Sequence, residues 1–175
     1  SEIDEIVKEV ERLLEKLKED SRRTVEEVKK LLDELRKHSE DSVREIEELI
    51  ERLRREIERD GDTEEVEKKI RDIKRRIEEL LRRNEKLVKE IKDRLKKLLD
   101  ENRERLKKIE KELRDKARAE EKLRRLEEEL REILKRSEDL ARKLDEDLKR
   151  ILERTRREIK RLEEDLDRLD EEVRR

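Results

Sequence analysis

Arg59-Asp60-Gly61-Asp62-Thr63-Glu64-Glu65 contains the only glycine among 175 residues, in a chain with no proline at all. Gly61 can supply the left-handed residue that ends a helix, and Asp62 or Thr63, followed by glutamates, can cap the start of the next. A reversal of the chain is therefore expected here. The residues on either side carry no comparable breaker and read as long helices.

Working backward from this corner, the apolar positions begin Ile3, Ile6, Val7, Val10, Leu13, Leu14 and Leu17. Eighteen residues later stand Ser21, Thr24, Val25, Val28, Leu31, Leu32 and Leu35, and after another eighteen Ser39, Ser42, Val43, Ile46, Leu49, Ile50 and Leu53. Eighteen residues make about five turns at 3.6 residues per turn, so the stripe stays on one face of a nearly straight helix. A seven-residue repeat would instead demand a left-handed supercoil.

Working forward, a related pattern runs Val66, Ile70, Ile73, Ile77, Leu80, Leu81, then Asn84, Val88, Ile91, Leu95, Leu98, Leu99, then Asn102, Leu106, Ile109 and Leu113. Acid-first pairs four residues apart (Glu65 with Lys69, Asp72 with Arg76) support its outer face. A third copy runs from Ala119 and Leu123 through Ser137 and Thr155 to Val173, but Ala119 follows Asn102 by one residue too few. That slip would turn the stripe by roughly 100° on a continuous helix. It places a second corner near Asp115-Lys116-Ala117-Arg118. The competing reading is one helix from about Thr63 to the C-terminus, which would force a domain-swapped assembly.

Helices of about 2–60, 63–114 and 118–174 make an all-α, up-down-up antiparallel three-helix bundle, each helix about 80 to 87 Å long at 1.5 Å per residue. One narrow core would make residues 1–175 a single elongated domain.

Composition narrows the functional classes. Lys and Arg number 55 against 57 Asp and Glu, and charged residues are 64% of the chain, yet the net charge is −2. Without one sign of charge concentrated on a face, there is no electrostatic case for nucleic acid or an anionic membrane. No cysteine offers thiolate or disulfide chemistry, and no apolar run approaches a membrane span or a signal peptide. A soluble protein is expected, cytoplasmic if produced recombinantly.

No catalytic, cofactor-binding or metal-binding residues emerge. His38 is the only histidine, and a transition-metal site there would have only carboxylates as partners. It reads as a residue flanking the stripe, within reach of Ser42. Thr24 with Glu27, and Ser42 with Glu45, fit capping boxes, but the repeat passes through both without losing phase, so they read as interior to one helix.

The specific signal is polar residues inside the stripe. Folding at Gly61 sets Ser39 opposite Asn84 and Ser21 opposite Asn102. A parallel third helix adds Thr155 to the first pair and Ser137 to the second. Ser39, Asn84 and Thr155 would form one layer, and Ser21, Asn102 and Ser137 another. Serine and threonine can bond back to their own helix, whereas asparagine, with two donors and an acceptor, should reach a neighbouring one.

The eighteen-residue repeat, the Asp60-Gly61-Asp62-Thr63 loop, the Leu/Ile/Val core and these polar layers together resemble computationally designed, parametrically generated untwisted three-helix bundles. The resemblance covers the whole chain and implies a stable scaffold without natural activity. The lack of a glycine at the second corner departs from that pattern. Natural spectrin-like three-helix repeats are the runner-up, but they normally carry core aromatics and this chain has none. The expected state is a monomer needing no cofactor or partner. The alternative is an interaction module, homodimeric or binding a partner helix, motivated by Leu87 and Leu140, which stand outside the repeat.

Overall fold

The computed structural model describes residues 2–113 and 121–175, which form three α-helices: α1 (Glu2–Glu58), α2 (Thr63–Leu113) and α3 (Glu121–Arg174). Thr24 and Ser42 both lie within α1, and the Thr24 hydroxyl donates to the Asp20 carbonyl one turn back at 3.1 Å. The first helix ends at Glu58, not residue 60. The expected second corner at Asp115 to Arg118, the last residue expected of the second helix at 114, and the expected start of the third at 118 lie outside the described residues.

The chain divides into two compact units, each drawing a segment from every helix: Ser1–Lys30 with Glu90–Glu146, and Leu31–Lys89 with Asp147–Arg175. In the first, Asp20 pairs with Arg105 at 2.8 Å and Glu27 with Arg94, so numbering falls along α2 as it rises along α1. Arg103 with Glu138 and Glu110 with Arg131 show the same opposition between α2 and α3, and Lys18 reaches Glu129 on the parallel α3 at 3.0 Å. In the second, Glu45 pairs with Arg76, Glu56 with Lys69 at 2.6 Å, and Glu47 with Arg161. The architecture is an up-down-up three-helix bundle. Its antiparallel α2 and α3 are incompatible with one uninterrupted helix from Thr63 onward.

Lys69 and Arg76 were expected to pair within their own helix, with Glu65 and Asp72. They reach Glu56 and Glu45 on α1 instead, because helices this close place carboxylates of the neighbour within side-chain length.

Burial follows the eighteen-residue spacing. Val10, Val28 and Ile46 are buried, as are Leu14, Leu32 and Ile50, and Leu17, Leu35 and Leu53. In the first unit Val10, Leu14 and Leu17 pack with Ile109, Leu113, Leu123, Leu126 and Leu130. In the second, Ile46, Ile50 and Leu53 pack with Ile70, Ile73, Ile77, Leu162 and Leu166.

Two positions on α2 depart from the expected stripe: Leu81 is 44% exposed, while Leu87 is only 8% exposed. Adjacent residues point about 100° apart, so only one of Leu80 and Leu81 can face the axis, and Leu80 does. Leu87 lies two turns after Leu80 and about one before Ile91, which brings it to the same face. By the same geometry Leu13, Leu31 and Leu49 are only half-buried beside Leu14, Leu32 and Ile50.

At the first corner, the left-handed residue is Asp60, with φ of 56°, and not Gly61, which has no positive φ. Gly61 N–H donates to the Glu56 carbonyl at 3.0 Å and Asp60 N–H to that of Ile57 at 3.2 Å. These are the two bonds of a Schellman cap, with aspartate, whose short polar side chain tolerates the conformation, in the left-handed place. Gly61 is needed for space: a Cβ there would lie 2.8 Å from Glu56 Cγ and 2.9 Å from the Glu56 carbonyl oxygen. Asp62 then caps α2, its Oδ1 accepting from Glu64 N–H at 3.4 Å and its carbonyl from Val66 N–H at 3.0 Å.

Asp60→Gly should therefore stabilise the protein by up to about 1 kcal/mol by relieving the left-handed residue. Gly61→Ala should destabilise it by about 1–2 kcal/mol, because the Glu56 carbonyl cannot move without opening the cap. Urea unfolding midpoints of the two variants, shifting in opposite directions, check the assignment.

Candidate functional site

The polar residues inside the stripe do not all join one another. In the second unit Ser39 and Asn84 are buried and bonded across α1 and α2: Asn84 Nδ2 donates to Ser39 Oγ at 3.2 Å, and Ser39 Oγ to Asn84 Oδ1 at a longer 3.4 Å. Thr155 is also buried, but its Oγ1 donates to the Ile151 carbonyl of α3 at 2.8 Å. The hydroxyl has a partner one turn away and needs none on a neighbouring helix.

The first unit repeats the arrangement less completely. Ser21 Oγ donates to Asn102 Oδ1 at 3.4 Å, and Ser137 is buried on α3. Asn102 is 3% exposed, and its enclosed Nδ2 has no hydrogen-bond partner. An unmet buried amide donor costs about 1–3 kcal/mol. Each asparagine thus engages the serine of α1, while neither Thr155 nor Ser137 bonds to its asparagine.

The small side chains in the second unit leave a groove of about 410 Å³ between α1 and α3, floored by Ser39, Val43, Ile151 and Thr155. Its rim mixes Arg36, Arg44, Arg150 and Arg154 with Glu40, Glu47 and Glu158. Glu47 and Glu158 both bind Arg161, while Arg36 and Arg150 pair with Asp33 and Asp147 on their own helices. The rim is nearly charge-balanced, with four arginines against three glutamates. Sequence periodicity did not reveal this groove, although serine and threonine at large-residue positions were its available signal.

His38 lies half-buried beside Ser39. Its pKa is held below the ordinary 6.5, first by burial, which disfavours the imidazolium, and then by repulsion from Arg83 on α2; Asp41 and Glu34 on α1 oppose both. Lys18 titrates above its ordinary value chiefly through its hydrogen bond to Glu129, and Lys69 does so through Glu56. Each of the two lysines is an exposed ion pair.

Among the described residues, no group of three or more His, Cys, Asp or Glu side chains is arranged to hold a metal ion, and no helix is long and apolar enough to cross a membrane. No protein-family profile matches the chain, and no curated protein matches its sequence. Among solved structures, a computationally designed three-helix bundle is similar, at 21% identity and a TM-score of 0.49, over 99% of this chain and 83% of that one.

Two outcomes follow. Asn84→Leu should destabilise by about 1–3 kcal/mol because it strands the buried Ser39 hydroxyl, whereas Asn102→Leu should be neutral or stabilising because it removes an amide already lacking a partner. Urea denaturation of both variants checks the contrast. For His38, the fold favours the neutral ring, so its contribution is fully present above the ordinary value near 6.5 and is lost as pH falls from there toward the lower folded value. The stability difference between the parent and His38→Gln should therefore move against the parent between about pH 7.5 and about pH 5.5.

Proposed function

We propose that the chain is a structural scaffold of de novo design, a single folding domain whose product is the folded framework itself, with no natural biochemical activity. The observation carrying this reading is the buried Ser39–Asn84 pair, repeated eighteen residues along each helix by Ser21 and Asn102. Such pairs give up apolar burial to favour one alignment of helices over its neighbours, since a slip of one turn would leave asparagines among leucines. The carboxylates support it too: those in ion pairs meet basic side chains on the surface, without the enclosed partners that general acid–base chemistry requires.

The framework acts as a soluble monomer that needs no cofactor, nucleic acid or membrane. Leu87, one of the residues that suggested a partner-binding face, is used in the core, and Leu140 is half-buried. Among the described residues, Leu81 is the one exposed large hydrophobic. The half-buried Leu13, Leu31 and Leu49 recur once in about five turns, whereas a helical seam needs an apolar contact about every three to four residues. Light scattering at micromolar concentration should return a single species of 21.8 kDa. A stable species of twice that mass would replace this reading with the homodimeric interaction module.

A further inference from the structure

Asp60-Gly61 is the only Asp-Gly step in the chain. It also holds the only non-glycine residue of positive φ among the described residues. The step is chemically distinct because glycine has no Cβ to shield its backbone nitrogen from the preceding carboxyl group. The geometry points to Asp60-Gly61 as this chain's site of spontaneous backbone isomerisation, with the cap of α1 holding the reaction in check.

In the reaction the Gly61 nitrogen forms a bond to Asp60 Cγ, and its proton leaves with the carboxyl hydroxyl as water. A five-membered cyclic imide results. Water then adds to one of its two carbonyl carbons. If the bond between Gly61 N and the Asp60 backbone carbonyl carbon breaks, the main chain is left running through Cγ as an isoaspartyl residue. If the new bond to Cγ breaks, aspartate is restored. One water is released and one consumed, so the product has the mass of the starting chain and needs no oxidant, reductant or enzyme.

The folded cap opposes the first step in two ways. Gly61 N–H is engaged by the Glu56 carbonyl at 3.0 Å, so the nitrogen cannot readily shed its proton. Turning that nitrogen toward Asp60 Cγ also requires rotation about the Asp60 backbone, which the second bond, Asp60 N–H to Ile57 at 3.2 Å, resists. Asp62 is the only other described aspartate outside the helices. It precedes the β-branched Thr63 and has its Oδ1 held by Glu64 N–H. The remaining described aspartates have helical backbones. Reaction at Asp60 therefore proceeds from the minor population in which the cap is open. Its product, one backbone carbon longer, cannot restore the same register to Glu56.

The test ages the full chain at neutral pH and physiological temperature, once in buffer and once in denaturing urea. A glutamate-specific protease then excises residues 59–64, and chromatography separates the two isomers of identical mass. The urea sample should accumulate the second isomer at Asp60, and the folded sample should do so about tenfold more slowly, in proportion to how seldom the cap opens. Gly61→Ala should slow the reaction in urea, where no cap exists to complicate the comparison. Equal rates in buffer and urea would overturn the gating by the cap. Absence of the second isomer in urea, or its appearance at Asp62 instead, would overturn the site.

Discussion

Eighteen residues close about five turns of α-helix with almost no remainder, and the packing rests on that coincidence. Because Val10, Val28 and Ile46 return to the same angle, α1 keeps its apolar stripe on one face, with Ser39 buried within it. Each fully buried aliphatic side chain contributes roughly 1.5–3 kcal/mol, which lets a chain with only 29% hydrophobic residues retain a core. Without aromatics, the core residues are close in size, and Leu17, Leu35 and Leu53 can play the same part in successive repeats.

The cost of such uniformity is ambiguity of alignment, and the buried asparagines oppose it. They do so unevenly. Asn84 is both donor and acceptor toward Ser39, while Asn102 only accepts from Ser21 and leaves its amide unmet. The same two residue types at the same spacing therefore give different balances, because an amide is satisfied by the placement of its nitrogen as well as by its depth. On the surface, a related principle sends Lys69 to Glu56 across a helix boundary: long side chains find the nearest carboxylate in space, whichever helix carries it.

The helices, their directions and the pairing of Ser39 with Asn84 and Ser21 with Asn102 could be read from the chain because each depends only on angle and count. Departures arise where a finer variable decides. Leu80 and Leu81 look equivalent as letters, yet 100° of rotation buries one and exposes the other. Leu87 fell outside the repeat but within the arc that α2 turns inward. Gly61 marked the corner correctly for an incomplete reason, since the left-handed turn belongs to Asp60 and the glycine is required by the closeness of Glu56. Thr155 shares depth with its expected layer but satisfies its hydroxyl locally, a choice of rotamer that periodicity does not encode.

The matching intervals of the apolar and polar repeats have one more result. An alignment code built from identical marks at a fixed interval is degenerate at that interval: it rejects a slip of one or two turns, but Ser39 set against Asn102, or Ser21 against Asn84, would satisfy the same chemistry five turns away. What removes the degeneracy between α1 and α2 is connectivity, because only Arg59 to Asp62 separate Glu58 from Thr63. Side chains choose the phase, and the shortness of the link chooses the period.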